Sequence, residues 1–254
     1  MKVTILGCGG SGGVPLATGY WGACDPENPR NRRHRVSILV EEGSTVILVD
    51  TSPDLRQQAL AVNLKRLDAV LYTHAHADHM HGIDDLRPFN RAMGRAIDIY
   101  GSPETMAEVK SRFGYVVAPL APAGGFYKPV LVPHDVTGPF TVGGIEILPF
   151  EQDHGFSKTT GYRIGDIAYS TDCVDLPEAS FAALKDLRLW IVDCLRFEPH
   201  PTHAHFEKVL SWVARVKPER AVLTHMNQSV DYDTIAAQCP SGVEPGYDFM
   251  EIEV

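Results

Sequence analysis

The sequence has no long apolar run. No stretch of its 254 residues approaches the roughly 20 apolar residues that a membrane-spanning helix needs. The apolar run 3–6 near the start is also too short for the hydrophobic region of a secretory signal. We therefore expect a cytoplasmic protein without a membrane partner.

Positive charge is scarce as well. Lysine and arginine together number 23 against 32 acidic residues, which gives a formal net charge of -9 at pH 7. Affinity for a phosphate backbone comes from many cations acting together, so this balance disfavours an extended nucleic-acid-binding face. A small anionic substrate stays compatible with local positive charge. The basic run Arg30, Arg32, Arg33 and Arg35 either contacts such a substrate or forms a solvated charged loop.

Paired cysteines are missing too. The five cysteines, Cys8, Cys24, Cys173, Cys194 and Cys239, are odd in number, scattered, and never spaced as C-x-x-C. This pattern argues against a disulfide framework and against a zinc ribbon. We expect reduced and mostly buried thiols.

Short apolar segments are abundant and alternate with helix-start signals. The predicted strands are 3–6, 37–40, 46–49, 69–72, 97–100, 145–150, 167–170, 189–192 and 221–224. Predicted helices begin near Ser52, Ser102, Asp175 and Thr202, the last continuing to 216, and Gly114 and Pro218 are predicted stops. The alternation predicts layered sheets with helices outside them. The segment 118–144, rich in Pro and Gly, is either an irregular connection between two halves or a lid.

The richest local feature is a cluster of metal-binding side chains after the strand 69–72. His74 and His76 are two residues apart, so they face the same way and can share one ion. Asp78 and His79 follow the turn and point toward a second ion. Without a cation, three imidazoles and a carboxylate crowded beside an apolar strand would carry a large desolvation and repulsion penalty.

Three further candidates also follow apolar strands, namely His154, Asp172 and His225. One ion is then assigned His74, His76 and His154. The second is assigned Asp78, His79 and His225, with Asp172 between the two ions. Such nitrogen and oxygen donors suit Zn²⁺ best and manganese or iron less strongly.

The pattern His74-x-His76-x-Asp78-His79 with downstream His154, Asp172 and His225 resembles the metallo-β-lactamase fold superfamily over almost the whole chain. The resemblance implies an α/β (α+β) fold, a four-layer αβ/βα sandwich. It also implies a single domain, 1–254, of two similar halves with two divalent ions at one edge between the sheets. The glycine-rich start and the segments 82–87 and 201–203 look most like the PhnP-type phosphodiesterases, which open cyclic phosphates.

Two departures from relatives narrow this resemblance. Phosphonate-pathway PhnP enzymes hold a structural zinc with an N-terminal cysteine cluster and a histidine, whereas here only Cys24 stands in that stretch and Gln228 occupies the histidine position. We therefore expect no structural zinc, and the resemblance does not imply their phosphoribosyl cyclic phosphate substrate. The long basic insertion of transfer-RNA-processing relatives is also missing, which disfavours a nuclease.

The expected reaction uses a metal-bound hydroxide as nucleophile and a histidine as proton donor. Metal coordination lowers the pKa of water from 15.7 toward roughly 7, which supplies hydroxide at neutral pH, and Asp78 could orient it. The leaving group needs a proton, and the resemblance favours His203, at the predicted helix start, as general acid over His205. Helix-start amides attract anions, so both histidines, together with Arg87, are candidate substrate-binding residues. Asp50 either orients a ligand histidine from behind or caps a helix.

The leading hypothesis is a dinuclear metal-dependent phosphodiesterase for a small cyclic phosphate or nucleotide-like ester. One alternative is a lactone or thioester hydrolase on the same scaffold, which would use a more apolar pocket. Another is a non-catalytic metal-containing accessory or carrier protein of a cofactor pathway. A homodimer is compatible with all three.

Overall fold

The computed structural model describes residues 1–118 and 130–254. Its strands are β1 (Lys2–Gly7), β2 (Ser37–Glu42), β3 (Thr45–Val49), β4 (Ala69–Leu71), β5 (Ile97–Gly101), β6 (Leu131–Asp135), β7 (Phe140–Val142), β8 (Ile145–Asp153), β9 (Lys158–Ile164), β10 (Ile167–Ser170), β11 (Leu189–Asp193), β12 (Arg220–Thr224), β13 (Val243–Pro245) and β14 (Met250–Glu253). Its α-helices are α1 (Leu55–Ala61), α2 (Ala77–Met80), α3 (Arg87–Met93), α4 (Pro103–Val117), α5 (Phe206–Val216) and α6 (Tyr232–Ala236). Short 3-10 helices cover Pro29–Asn31, Ile83–Leu86 and Glu178–Ala182.

The strands form two seven-stranded sheets of matching design. The first has the order β14-β1-β2-β3-β4-β5-β6 and the second β13-β12-β11-β10-β9-β8-β7. In the first sheet, β3 to β6 run parallel and the remaining neighbours pair antiparallel. In the second, β10 to β13 run parallel and β7 to β10 pair antiparallel. The parallel strands of each sheet therefore end at a common edge.

The core consists of two clusters because most strands of the first sheet are buried on both faces. Ile38 and Val40 of β2 belong to the cluster shared with the second sheet, while Leu39 belongs to the cluster under the helices. Apolar residues of α1, α3 and α4 complete that outer cluster, and α5 packs with the second sheet. The predicted α/β sandwich of packed sheets with outer helices is confirmed.

The predicted helix boundaries are only partly right. The hydroxyl of Ser102 accepts the N–H of Thr105 at 3.2 Å and caps α4 as expected. The predicted stop at Gly114 is wrong, because α4 continues to Val117 past a kink at Phe113. The first helix begins at Leu55 rather than directly after Ser52.

The helix predicted to start after Thr202 begins only at Phe206. The preceding residues instead form backbone hydrogen bonds with the segment after β11, from Leu195 N to Ala204 O and from Phe206 N to Arg196 O. His203 therefore lies in the loop before α5, and the predicted helix-start position of this residue is wrong. The start near Asp175 is a 3-10 helix, Glu178–Ala182.

The Pro- and Gly-rich segment 118–144 holds more regular structure than expected. Residues 119–129 lie outside the described residues. After them the chain forms β6 at the edge of the first sheet and β7 at the edge of the second. This segment therefore carries the chain from one sheet to the other.

Two smaller observations concern membrane contact and thiols. Among the described helices, none has the length and apolar character that crossing a bilayer requires. All five cysteines fall in the described ranges, none is in a disulfide, and Cys239 is the one with partial exposure. The thiols are thus reduced and mostly buried, as predicted.

Candidate metal centre

Polar side chains gather where the strands of both sheets end. They are Asp50 after β3, His74 and His76 after β4, His154 after β8, Asp172 after β10, Asp193 at the end of β11 and His225 after β12. Asp50, Asp172 and His225 have left-handed backbones, with φ of 62°, 53° and 60°. Such conformations cost non-glycine residues about 1–3 kcal/mol and concentrate at functional sites.

The first donor group comprises His74, His76, His154 and Asp172, whose ligating atoms all lie within 4.8 Å of one another. The Nδ1 of His154 donates to the carbonyl oxygen of Thr202 at 2.8 Å, which leaves Nε2 to face the group. Nε2 of His74 and Nε2 of His154 each lie 3.7 Å from Asp172 Oδ2. The two histidines after β4 therefore meet one after β8, as the sequence predicted.

The second donor group comprises Asp78, His79, Asp172 and His225, again within 4.8 Å. Nε2 of His79 and Nε2 of His225 lie 3.1 and 3.2 Å from Asp172 Oδ1. Asp78 Oδ2 lies 3.4 Å from His79 Nε2 and 3.7 Å from His225 Nε2. Asp172 thus gives one carboxylate oxygen to each group, and Thr171 steadies it by donating its hydroxyl to Oδ1 at 2.8 Å.

Asp50 lies behind the second group and is fully buried. Its Oδ2 lies 2.7 Å from His79 Nδ1, and it also accepts the N–H and the hydroxyl of Thr73 at 2.8 Å each. These contacts hold the His79 ring with Nε2 toward the group. The N-cap residue of α1 is Asp54, so Asp50 contacts the histidine rather than capping that helix.

The donor atoms fit divalent cations. Nε2 of His74, His79 and His225 is buried in each case and has no hydrogen-bond partner of suitable geometry among the described residues. Leaving such groups unsatisfied is costly, and a cation among them would remove that cost. Imidazole nitrogen and carboxylate oxygen are also the donors that Zn²⁺ prefers.

Protonation of the two groups differs. Burial lowers the pKa of His74 and His154, so these imidazoles are neutral and ready to donate a lone pair. Burial also lowers the pKa of His79 and His225, but Asp172 and Asp78 outweigh it and raise both, that of His225 to about 9. In the second group a proton thus occupies a nitrogen that a cation would take, and a cation must displace it.

His203 joins the cluster from its loop. Its ring stacks on His225 with centroids 4.7 Å apart, and its Nε2 lies 3.9 Å from Asp172 Oδ2. The other two predicted substrate-binding residues make different contacts. His205 is the partly exposed N-cap residue of α5, and Arg87 pairs with Asp84 at 3.4 Å and lies over the Tyr115 ring.

Sequence reasoning missed Asp193, which is fully buried at the end of β11. Its Oδ2 lies 3.1 Å from His203 Nδ1 and accepts the N–H of Cys173, while Oδ1 lies 3.8 Å from His225 Nδ1. The signal that identified the other residues, a polar side chain directly after an apolar strand, was present here too. Asp193 therefore lies on the Nδ1 side of both His203 and His225.

The basic run lies outside the donor groups and is only partly solvated, because Arg30 and Arg32 are exposed whereas Arg33 is buried. Arg33 is 2% exposed and donates to the carbonyls of Asn227 and Val230 at 3.1 and 2.8 Å. Arg30 stacks against two tyrosines, and Arg35 pairs with Asp54. These arginines fasten the N-terminal loop. Cys24 lies in the same place and contacts the carbonyl of Gln228 through its thiol at 3.5 Å.

Comparison with known proteins agrees with this architecture. A family model described as a beta-lactamase superfamily domain matches residues 45–226, most of the chain. The protein therefore belongs to the β-lactamase superfamily and has the metallo-β-lactamase fold. A crystal structure described as a new diphosphatase from the PhnP family has 32% sequence identity and a TM-score of 0.89, over 100% of this chain and 97% of that one.

Two other relatives have different names. Zn²⁺-bound PqqB from Methylobacterium extorquens has a TM-score of 0.79 over the full length of both chains, but at 21% identity this likeness shows the fold alone. An octanoyltransferase from Porphyromonas gingivalis is 32% identical over 99% of this chain. The chain spans 51% of that relative's length. The name of the whole relative therefore does not establish the activity of the part that matches.

Proposed function

We propose that this protein is a dinuclear metal-dependent phosphodiesterase that acts on a small cyclic phosphate or nucleotide-like ester. The observation that carries the proposal is the pair of donor groups joined by Asp172, with the His203–Asp193 pair beside them. Likeness to a PhnP-family diphosphatase at 32% identity supports phosphate ester chemistry.

Each group would hold one ion. His74, His76 and His154 would bind the first, Asp78, His79 and His225 the second, and Asp172 would bind both. The imidazole-rich set favours Zn²⁺, with Mn²⁺ as the alternative. Bound divalent ions supply Lewis acidity and allow water to act as nucleophile at neutral pH.

Charge favours an anionic substrate at this centre. Two divalent ions and the carboxylates of Asp78 and Asp172 give a net charge of about +2 before substrate or water binds. A phosphodiester monoanion is therefore attracted, whereas a neutral ester is not. Partners of other kinds, such as an extended nucleic acid, are not part of the proposal.

His203 would give the leaving oxygen its proton. Nε2 faces the cluster, and Asp193 would accept the Nδ1–H, which fixes the orientation of the ring. His203 is held in this position by a carboxylate and a stacked imidazole, and not by a helix start. Asp193 acts as its positioning residue.

An acyl ester hydrolase is the second candidate, because a 32% identical relative is named an octanoyltransferase. It would be a lactone or thioester hydrolase on the same donor groups. A non-catalytic accessory role would require that the protein binds metal yet turns over neither kind of ester.

The test is hydrolysis of bis(p-nitrophenyl) phosphate by protein loaded separately with zinc and with manganese. We expect metal-dependent turnover in the wild type and a loss of about 10³-fold or more in Asp78→Asn. Glu219→Gln is the matched control, since this 73% exposed carboxylate lies at the opposite end of β12 from His225. Absence of turnover with both metals bound would refute the proposal, and hydrolysis of an octanoyl thioester would then establish the second candidate.

A further inference from the structure

A cavity of about 770 Å³ opens beside the first donor group. His74, Ala75 and His76 form one end, α4 forms one wall, and the β8–β9 hairpin forms another. This volume falls within the range of small-molecule sites. A substrate whose phosphate lay on the donor groups would extend one arm into this space.

Five charged side chains line the described walls, of which four form ion pairs and the fifth is the carboxylate of Glu104. Arg112 Nε lies 2.8 Å from a carboxylate oxygen of Glu108, and Lys158 Nζ lies 2.7 Å from Glu151. All four residues line the cavity. Because Arg112 and Lys158 each have their own carboxylate, the lining residues that the structure describes have no excess positive charge to hold a second anionic group.

Hydroxyl-bearing side chains line the rest of the cavity together with the apolar side chains of Val136, Pro149 and Phe150. The hydroxyls belong to Ser102, Thr105, Thr137, Ser157, Thr159 and Thr160. An acyl chain placed here would strip water from charged and hydroxyl groups without replacing their hydrogen bonds. A neutral polyhydroxyl group would replace them, since it both donates to carboxylates and accepts from guanidinium or hydroxyl groups.

Arg112 also connects the cavity to the donor groups. Its Nη1 donates at 2.7 Å to the carbonyl of Ala75, the residue between His74 and His76. The pair Glu108–Arg112 is thus held in place by the turn that carries two of the donors. A ligand group bound to Glu108 would be fixed relative to the reacting phosphate.

We propose that this cavity is the subsite for the sugar arm of the substrate and that Glu108, held by Arg112, is its specificity-determining residue. The inference rests on the proposed phosphodiesterase function. It predicts selectivity for esters in which a sugar is attached to the phosphate, with a sugar hydroxyl donating to the Glu108 carboxylate.

Two substrates with the same leaving group test it, thymidine 5′-(p-nitrophenyl phosphate) and methyl p-nitrophenyl phosphate. Both release p-nitrophenolate, so the ratio of their kcat/KM values reports the arm alone. The wild type should prefer the thymidine ester by tenfold or more. Glu108→Ala should raise KM for that ester about tenfold, the loss of one charge-assisted hydrogen bond, and change the methyl ester less than about twofold.

Lys110→Ala on the same helix is the control, because Lys110 faces Asp135. Glu108 is 46% exposed on α4, so its replacement by alanine is compatible with folding. Equal kcat/KM values for the two esters in the wild type would overturn the subsite. Equal losses for both esters in Glu108→Ala would also overturn it, since Glu108 would then act through the Ala75 turn. Hydrolysis of neither ester would instead refute the phosphodiesterase function on which the subsite depends.

Discussion

Asp172 presents one carboxylate oxygen to each donor group, with Oδ1 at 3.1–3.2 Å from His79 and His225 and Oδ2 at 3.7 Å from His74 and His154. Burial raises the pKa of this carboxyl, but the surrounding imidazoles lower it well below its ordinary value. Asp172 is therefore a carboxylate whenever the imidazoles carry positive charge. This central anion and the carboxylates of Asp50, Asp78 and Asp193 around it explain why so many histidines can be packed together.

His203→Ala should separate proton donation from metal binding. We expect kcat to fall by about 10²–10⁴ for esters with alkoxide leaving groups, because these need a proton as the bond breaks. For p-nitrophenyl esters, whose leaving group is stable as an anion, the fall should be below about tenfold. Steady-state kinetics on both ester types measures the difference.

His205→Ala serves as the control for that experiment, since His205 stands at the N-cap position of α5 without a side-chain capping hydrogen bond and lies outside the donor groups described above. It should leave both rates within about twofold. The general-acid role of His203 would be wrong if both ester types lost activity equally.

The sequence could predict which seven candidate donors the structure brings together, because each lies just after an apolar strand or in the short stretch that follows β4. Asp193 has the same position, yet its role depends on the loop between β11 and α5 bringing His203 back to it. That return is a tertiary contact across ten residues and leaves no local pattern. For the same reason the helix-start position of His203 was wrong.

Secondary structure elements were predictable where they were apolar and continuous. The strand β9 was missed because Gly161 and polar residues interrupt its pattern. The glycine is needed there, since a Cβ would lie 2.2 Å from the Phe150 ring. Glycine in a strand often marks such a close approach, but sequence alone does not show what approaches.

The N-terminal loop and the loop after His225 are joined by Arg33, which no local pattern predicted. Arg33→Met should lower the free energy of unfolding by about 2–4 kcal/mol, because two buried carbonyls lose their donors. Arg32→Met is the matched control, since Arg32 is exposed over the Trp21 ring and should change stability by less than about 0.5 kcal/mol.

Urea denaturation of both variants in chelator measures these differences without a metal contribution. Arg33→Lys should recover part of the lost unfolding free energy, because lysine keeps the charge and one donor group but lacks the planar guanidinium that reaches both carbonyls. Equal stability of Arg33→Met and Arg32→Met would show that the buried contacts contribute nothing.

In the whole molecule, the two ends of the described chain meet in the first sheet, where β14 pairs with β1. Asp248, just before β14, accepts the backbone N–H of Cys8 and of His34, and lies 2.7 Å from His34 Nδ1. The adjacent carboxylate of Asp248 raises the pKa of His34 above its ordinary value of 6.5, although burial opposes it.

This pKa shift predicts a pH dependence of stability. A raised folded-state pKa contributes stability that is fully present below about pH 6.5 and is lost as pH rises through the raised value. The difference in unfolding free energy between wild type and His34→Gln should therefore be about 1 kcal/mol at pH 5.5 and shrink toward zero by pH 9. Denaturation of both proteins across this range checks it, and a difference that grows with pH would contradict the assignment.

Each donor group takes residues from both sheets, with His74 and His76 from the first joined by His154 from the second, and Asp78 and His79 joined by His225. An ion in either position would act as a cross-link between the two layers, in the way that a disulfide joins two segments. The free energy of metal binding would then be coupled to the free energy with which the two layers assemble. If the two halves of this protein were expressed separately, metal binding by their mixture would accordingly measure their reassembly.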